Sequence, residues 1–451
     1  MNLDLSIIIF YLLGMLGTTF WLGKKISLIE FFVNNRNTSS ILLIFSIVST
    51  AIGAGAVVGL AGAAYKTGIS YGISLLITAI SGYLILAWLA PKIKEYADSR
   101  GAFTLGDYLK EKYSLRTQYL ASVITIIVFF IFSGAQFVAL ASLIHVLIGI
   151  NFIVALFVTA GLTILYTAFA GIKGDIYTDF VQFSVMILAF GLAFLPFGIL
   201  KNGIPRNLPM EHFDIFNFAG PLFFFGSILL GGLYVIASMD FWQRIYAARS
   251  PKQIRKVFLW SALISIPFYL LPIGLGLIAF SRFGPGLDPN LALFKIMKET
   301  LPTGILGLGY AGLIAAIMSS VDSSILVSAS SAVRDFYQPL INPSAGIKET
   351  RYFVLIFGLA SLVTAYFIPD IVSLVLLAIF LLVGMVLPVL GSIFLVKPNE
   401  RAAFWSMLLS TATLLIFLPI SFEIAWVPAF LVSVVTFIGW SIFENKKQRI
   451  I

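Results

Sequence analysis

Long apolar stretches, separated by short polar segments, follow one another along almost the whole chain. A helix that crosses the hydrocarbon core of a bilayer needs about 20 mostly apolar residues. The pattern therefore predicts an all-α integral membrane protein with about thirteen transmembrane helices, at residues 4–22, 41–65, 69–90, 117–147, 151–170, 176–200, 220–243, 256–281, 303–330, 352–368, 371–396, 402–419 and 422–442.

The composition agrees with this class and excludes several functions. Hydrophobic residues make up 60% of the chain and charged residues 11%, whereas a soluble domain carries about 25% charged residues. There is no cysteine, so disulfides and thiolate metal sites are excluded. His145 and His212, the two histidines, lack metal-site spacing. We find no phosphate-binding glycine motif and no nucleophile beside a base, so an enzyme is not expected.

The basic residues indicate an orientation. If the N-terminus lies outside, the cytoplasmic segments hold 23 of the 29 Lys and Arg residues. Positive charge marks the cytoplasmic side of membrane proteins. The sequence thus predicts an N-out, C-in topology. The net charge of +9 is explained by this topology and does not require a nucleic-acid partner.

Two predicted helices that lie five spans apart are rich in glycine. The second contains "TAIGAGAVVGLAG" and the seventh "GPLFFFGSILLGGLY". This spacing suits a five-plus-five inverted repeat in which the first helix of each half is interrupted. We expect an extra N-terminal helix and linker (1–40), two five-helix repeats (41–200 and 217–396) and two C-terminal helices with a short tail (397–451). The alternative is that the glycines only allow close helix packing.

The ninth span carries hydroxyls and an acid in "MSSVDSS". At 100° per residue, Ala316, Ser319, Asp322 and Ser323 share one helical face. Oxygen ligands of this kind suit a small hard cation. The serines could instead bond to carbonyls of their own helix. Asp322 could pair with a basic residue, yet every Lys and Arg is assigned to a loop or a span end.

Several stretches resemble the sodium:solute symporter family, whose fold is a LeuT-like inverted repeat. "AAIMSSVDSSILVSASSAVRDFY" resembles its sodium-site helix, and "SIVSTAIGAGAVVGLAGAAYKTG" its first core helix. "YTAFAGIKGDIYTDFVQ", "MDFWQRIYAARSPKQIRK" and "FTLGDYLKEKY" are similar to three further family motifs, in the same order. The resemblance extends from about residue 40 to residue 400.

The resemblance implies two cation sites. The first Na+ site would use carbonyls of Ser49, Ile52 and Ala316 and hydroxyls of Ser319 and Ser320. A possible second Na+ site would use Asp179, Ser319, Asp322 and Ser323. Asp322 departs from the family, which more often carries a small or hydroxyl residue there. It is either an anionic ligand of the second site or an acid that exchanges protons.

The candidate substrate site lies between the repeats and is expected to include Gly55, Ala56, Gln136, Phe224 and Ser227. Gln136 could equally make an interhelical hydrogen bond. Ala56 replaces the histidine of sugar cotransporters, and Ala51 and Gly55 replace the aspartate and tryptophan of proline transporters. The resemblance therefore leaves the substrate as a small organic solute. Trp242, Gln243 and Arg244 are interpreted as anchors of a helix end.

Together these features predict a secondary transporter of the cell membrane that couples a small solute to Na+. A proton-coupled symporter that uses Asp322 is one alternative, and a transporter-like membrane sensor is another. A sensor usually carries a cytoplasmic signalling domain, and the tail "ENKKQRII" is too short for one. We expect the lipid bilayer and the solute as partners, and no obligatory protein partner.

Overall fold

The computed structural model describes residues 3–22 and 28–450, and the regular elements of these residues are helices. Part of the predicted linker, residues 23–27, lies outside the described residues. The helices are α1 (Leu3–Leu22), α2 (Leu28–Val33), α3 (Ser40–Ala51), α4 (Leu60–Thr67), α5 (Ser70–Arg100), α6 (Leu105–Lys112), α7 (Leu115–Ile148), α8 (Phe152–Ala189), α9 (Gly220–Tyr234), α10 (Met239–Ala247), α11 (Pro251–Phe283), α12 (Pro289–Thr300), α13 (Ile305–Ser331), α14 (Gln338–Leu340), α15 (Ile347–Phe367), α16 (Ile371–Phe394), α17 (Glu400–Phe417) and α18 (Trp426–Ile450).

The predicted membrane class is confirmed, because each of the thirteen predicted segments coincides with helix. Within the described residues, nine helices are long and apolar enough to span a membrane, or ten if one bent pair counts as a span. Two shorter apolar stretches lie within longer helices: Leu3–Thr18 in α1 and Phe152–Ala168 in α8. Thirteen crossings and the N-out orientation therefore stay predictions.

The first predicted interruption lies where the glycine pattern indicates. Helix α3 ends at Ala51, and Ile52 leaves the helical conformation with φ −96° and ψ 59°. The chain continues as a π-helix at Gly55–Gly59 and then as α4. The axes of Ser40–Ala51 and Gly55–Thr67 differ by 57°. One span is thus broken into two half-helices.

The seventh predicted span, 220–243, is also interrupted, and its break lies beyond the glycines. Helix α9 continues through Gly231 and Gly232 and is followed by a 3₁₀ turn, Val235–Ala237. Ser238 is extended, with ψ 111°, before α10 begins. A Cβ on Gly231 would lie 2.5 Å from the Thr78 methyl group of α5. These glycines permit close helix packing, which was the alternative interpretation.

Helix α13 forms the centre of the bundle. Its side chains are buried from Gly309 to Ser331, and it packs against α1, α3, α7 and α8. Asp4 of α1 accepts hydrogen bonds of 2.7 Å from the backbone N–H groups of Gly304 and Gly307 at the start of α13. The acid satisfies N–H groups that have no partner within the helix. The "MSSVDSS" segment is therefore fixed deep in the protein beside the broken α3–α4 span.

Candidate functional site

The broken span leaves backbone carbonyls without helical donors. Regular α3 bonding ends where Ile52 N donates to the Val48 carbonyl (3.0 Å). It resumes where Ala56 N and Val57 N donate to the Gly53 carbonyl (both 3.1 Å). Among the described backbone bonds, none uses the carbonyls of residues 49–52. Carbonyls freed in this way can replace water around a cation.

Helix α13 contacts the broken end through serine. Ser320 Oγ donates to the Thr50 carbonyl (2.7 Å) and lies 3.3 Å from the Ala316 carbonyl. Ser319 Oγ also donates to the Ala316 carbonyl (3.3 Å). Ser319 and Ser320 thus bond to a carbonyl of their own helix, which was the alternative interpretation of the serines. Ser320 in addition joins α13 to α3. Of the three residues predicted from α13 for the first Na+ site, Ser319 and Ser320 meet at the Ala316 carbonyl, and Ser320 also contacts the broken span.

Gln136 and Gly53 complete this junction. Gln136 Oε1 accepts a 2.7 Å hydrogen bond from Ala54 N, at the start of the second half-helix. The predicted interhelical hydrogen bond is therefore present. A Cβ on Gly53 would overlap the Ser320 hydroxyl and lie 2.8 Å from Gln136 Oε1. Only glycine fits between these two side chains.

A second polar cluster surrounds Arg244 of α10. This side chain is fully buried, and its Nη2 lies 3.0 Å from Asp175 Oδ2 and 3.2 Å from Asp179 Oδ2. The same nitrogen lies 2.7 Å from Thr50 Oγ1 and 2.6 Å from Ser323 Oγ. One cationic nitrogen is thus surrounded by four oxygens from α3, α8 and α13.

Of the residues predicted for the second Na+ site, Asp179 and Ser323 meet at this guanidinium, and Asp322 is directed elsewhere. Asp322 Oδ1 accepts a 2.5 Å hydrogen bond from Thr167 Oγ1 of α8. Its Oδ2 is buried and has no hydrogen-bond partner within the described residues. Ser319 belongs to the first cluster. The structure therefore divides the predicted second site between two locations.

A cavity of about 100 Å³ lies between the two broken spans. It borders the first cluster through Thr50, Gly53 and Ser320. Six aromatic side chains line it: Tyr83, Phe129, Phe132, Tyr234, Phe241 and Tyr269. Asp240, at the start of α10, supplies a carboxylate. The cavity is smaller than the cavities of roughly 150 Å³ that hold benzene, so only a very small molecule fits this arrangement of its walls.

Three of the five predicted substrate residues line this cavity: Gly55, Ala56 and Gln136. Ser227 lines a separate cavity of about 40 Å³ between α5, α9 and α16. Phe224 packs edge-on against Phe216, with ring centroids 5.5 Å apart. The seventh predicted span contributes to the main cavity at its break, not along its glycine-rich part.

Sequence reasoning missed Arg244, Asp175 and Asp240. Arg244 and Asp175 were assigned to segments at the membrane surface, and Asp240 was not singled out. A signal was present, because three acids and one arginine close to predicted span ends are costly to bury without partners. The sequence does not show that α8 and α10 lie close enough for these side chains to meet.

The chain was compared with known families and sequences. The model of the sodium:solute symporter family matches residues 31–410. The high-affinity proline transporter PutP of Bacillus subtilis (strain 168) is 27% identical over 343 residues, which are 70% of this chain and 72% of PutP. A sodium/proline symporter of Staphylococcus aureus is 25% identical over 384 residues, 80% of this chain and 73% of the relative.

Solved structures share the fold. A Na+-coupled sialic acid symporter in a substrate-bound outward-open state has a TM-score of 0.81 at 18% identity, covering 97% of this chain and 96% of that one. Mhp1, a nucleobase-cation-symport-1 family transporter in a closed conformation, has a TM-score of 0.60 at 13% identity, covering 92% and 95%. At these identities the likeness concerns the fold alone.

We predict that Gly53→Ala disrupts the junction between the half-helices and α13. The added methyl group overlaps Ser320 and crowds Gln136. Overpacking of this kind costs about 1–3 kcal/mol. A lower melting temperature in detergent would report it. Gly161→Ala is the matched control, because its Cβ would have no atom within 4 Å. Equal melting temperatures for both variants would contradict the close contact.

We predict that Arg244→Gln strongly destabilises the protein, because it leaves Asp175 and Asp179 buried without a cation. Removing one partner of a buried ion pair costs about 3–5 kcal/mol. Thermal unfolding in detergent measures the loss. Arg206→Gln, at an exposed position, makes the same chemical change as a control. A wild-type melting temperature for Arg244→Gln would show that the ion pair contributes nothing to stability.

Proposed function

The chain belongs to the sodium:solute symporter family, and on this premise we propose that it couples the movement of a small organic solute to that of Na+ by alternating access. It is a multi-pass protein of the cell membrane, and its relatives are transporters, not enzymes. The proposal includes the N-out orientation and the two five-helix repeats. Each charge that moves inward gains about 2.3 kcal/mol per 100 mV of membrane potential.

The observation that carries this proposal is the contact between the broken α3–α4 span and the serines of α13. The carbonyls of Ser49 and Ile52, which accept no described backbone hydrogen bond, and the hydroxyls of Ser319 and Ser320 are uncharged oxygens. Such ligands suit a small hard cation. These groups belong to two different elements, so a bound Na+ would hold α13 against the broken span.

The cavity supports coupling because it shares Ser320 and Gly53 with the proposed Na+ site. A solute in the cavity would lie against the same junction that Na+ stabilises. If bound Na+ raises the affinity for the solute by a given factor, bound solute raises the affinity for Na+ by the same factor. Gln136 ties this junction to α7, so three helices would respond to either ligand.

The second Na+ site is not part of the coupling mechanism that we favour. Arg244 already supplies a cation to Asp179 and Ser323. A sodium ion at the same oxygens would need the guanidinium to withdraw. We therefore propose that the first site alone couples Na+ while Arg244 is in place.

Proton coupling through Asp322 is the second candidate function. One observation favours it: this buried carboxyl accepts a hydrogen bond from Thr167, and no described basic side chain forms an ion pair with it. An intramembrane acid without a cation partner can exchange a proton with the solution during transport. Protons would then join or replace Na+.

The substrate of the relatives does not transfer directly to this chain. The two relatives described above are named as proline transporters, but they are 25–27% identical to it. Ala51 and Gly55 stand where the resemblance places the aspartate and tryptophan of proline transporters. The proposed substrate is therefore defined by the cavity and not by the names of relatives.

We predict that Na+ raises the melting temperature saturably, with K+ used to keep the ionic strength constant. A ligand of the native state adds about 2.7 kcal/mol at 100 times its Kd. Ser319→Ala should weaken the apparent Na+ affinity about tenfold, since it removes one ligand. Ser184→Ala is the control, because its hydroxyl also bonds to its own helix but lies outside the site. An unchanged Na+ response in Ser319→Ala would remove Ser319 from the site.

We predict that Asp322→Asn separates the two candidate functions. If Asp322 carries a proton, the wild-type melting temperature in Na+-free buffer should fall between about pH 5 and about pH 8, and the variant should lose this dependence. If the protein is coupled to Na+ alone, the variant should keep the Na+ response of the wild type. Melting curves at both pH values, with and without Na+, distinguish these results.

A further inference from the structure

The main cavity combines a carboxylate with aromatic walls. Asp240 is 9% exposed, and its Oδ1 accepts a 2.6 Å hydrogen bond from Ser238 Oγ. Ser238 lies in the break between α9 and α10 and itself lines the cavity. The break thus places the acid at the cavity wall. No Lys, Arg or His stands among the described residues that line the cavity.

The aromatic wall includes an unpartnered hydroxyl. Tyr83 is 2% exposed, and its Oη has no hydrogen-bond partner within the described part of the chain. Its ring packs edge-on against Phe241, with centroids 6.2 Å apart and an interplanar angle of 88°. A buried polar atom without a partner is costly, and a ligand can satisfy it. Tyr83 therefore adds a polar group to the residues that line the cavity.

The surrounding charge favours a cation. Asp175, Asp179, Asp240 and Asp322 are all buried in this region, and among the described residues Arg244 forms ion pairs with two of them, Asp175 and Asp179. Arg244 is already shared by Asp175 and Asp179. An anionic solute would thus enter a region with surplus carboxylates and with no guanidinium among the described residues that line the cavity. A positive group would instead reduce the repulsion between the buried acids.

We propose that Asp240 and the aromatic wall around Tyr83 select a solute that carries a positively charged nitrogen. The carboxylate supplies the counter-charge, and the faces of aromatic rings attract ammonium groups. This inference rests on the proposed transport function and names the substrate class of the same cavity. A zwitterion and a simple organic cation both carry this group.

The test measures thermal stability of the purified full-length chain with four probes, each in Na+ and in K+ buffer. The probes are L-proline (zwitterion), choline (cation), D-galactose (neutral) and potassium pyruvate (anion). We expect saturable stabilisation by proline, by choline or by both in Na+ buffer, and none by galactose or pyruvate. Stabilisation by proline alone would mean that the cavity also recognises the carboxylate of the solute. Stabilisation by choline alone would mean that it does not recognise a carboxylate.

Asp240→Asn tests the assigned residue. We expect the apparent affinity for the ammonium probe to fall tenfold or more, because a hydrogen-bonded charge pair is lost. The response to Na+ alone should remain. Asp214→Asn makes the same change in an exposed loop and should behave as wild type. The wild-type comparison of the four probes remains decisive if the Asp240 variant does not fold.

The inference is overturned if neither proline nor choline stabilises the wild type. It is also overturned if galactose or pyruvate stabilises it, or if Asp240→Asn binds the ammonium probe with unchanged affinity. These failures leave the Na+ response untouched, so the proposed coupling would stand. Conversely, an ammonium response that is equal in K+ and Na+ would support the role of Asp240 and contradict Na+ coupling.

Discussion

The gap in backbone hydrogen bonding at Ile52 and Gly53 is the constraint on which the rest of the site depends. In an apolar interior every free N–H and C=O group needs a partner. Gln136 provides one for Ala54 N, and Ser320 provides one for the Thr50 carbonyl. In the proposed Na+ site, remaining carbonyls of this segment would donate electron pairs to the cation. The break is therefore stabilised by side chains from α7 and α13, which hold the half-helices in position.

Charge balance is the second constraint. Asp179 Oδ2 accepts a 2.5 Å hydrogen bond from Ser46 Oγ, which in turn accepts one from Arg244 Nε (3.0 Å). The arginine thus binds both the acids of α8 and the hydroxyls of α3. A buried ion pair contributes little net stability, but the loss of one partner is costly. This pairing ties α10 to α3 and α8, and any movement of the second broken span must rearrange it.

The two broken spans meet around one cavity, so the coupling that we propose would have a physical route. Ser320 contacts the first span and lines the cavity, and Asp240 begins the half-helix after the second break. Trp242 Nε1 donates to the Ile236 carbonyl (2.7 Å), so the second break also has its own side-chain partner. Ligands bound at either place act on elements whose backbone bonding is incomplete.

The sequence by itself determined the membrane class and the first interruption, and it predicted the row of oxygens on α13. Each follows from a local rule: the length of apolar stretches, the glycine content before "AVVGLAG" and the 100° step of a helix. Tertiary structure alone decided the rest. Arg244 meets Asp175 and Asp179 across 69 and 65 residues of sequence. The second break lies after Tyr234, and the preceding glycines pack against α5. Distances between helices depend on packing over the whole bundle, which no local pattern encodes.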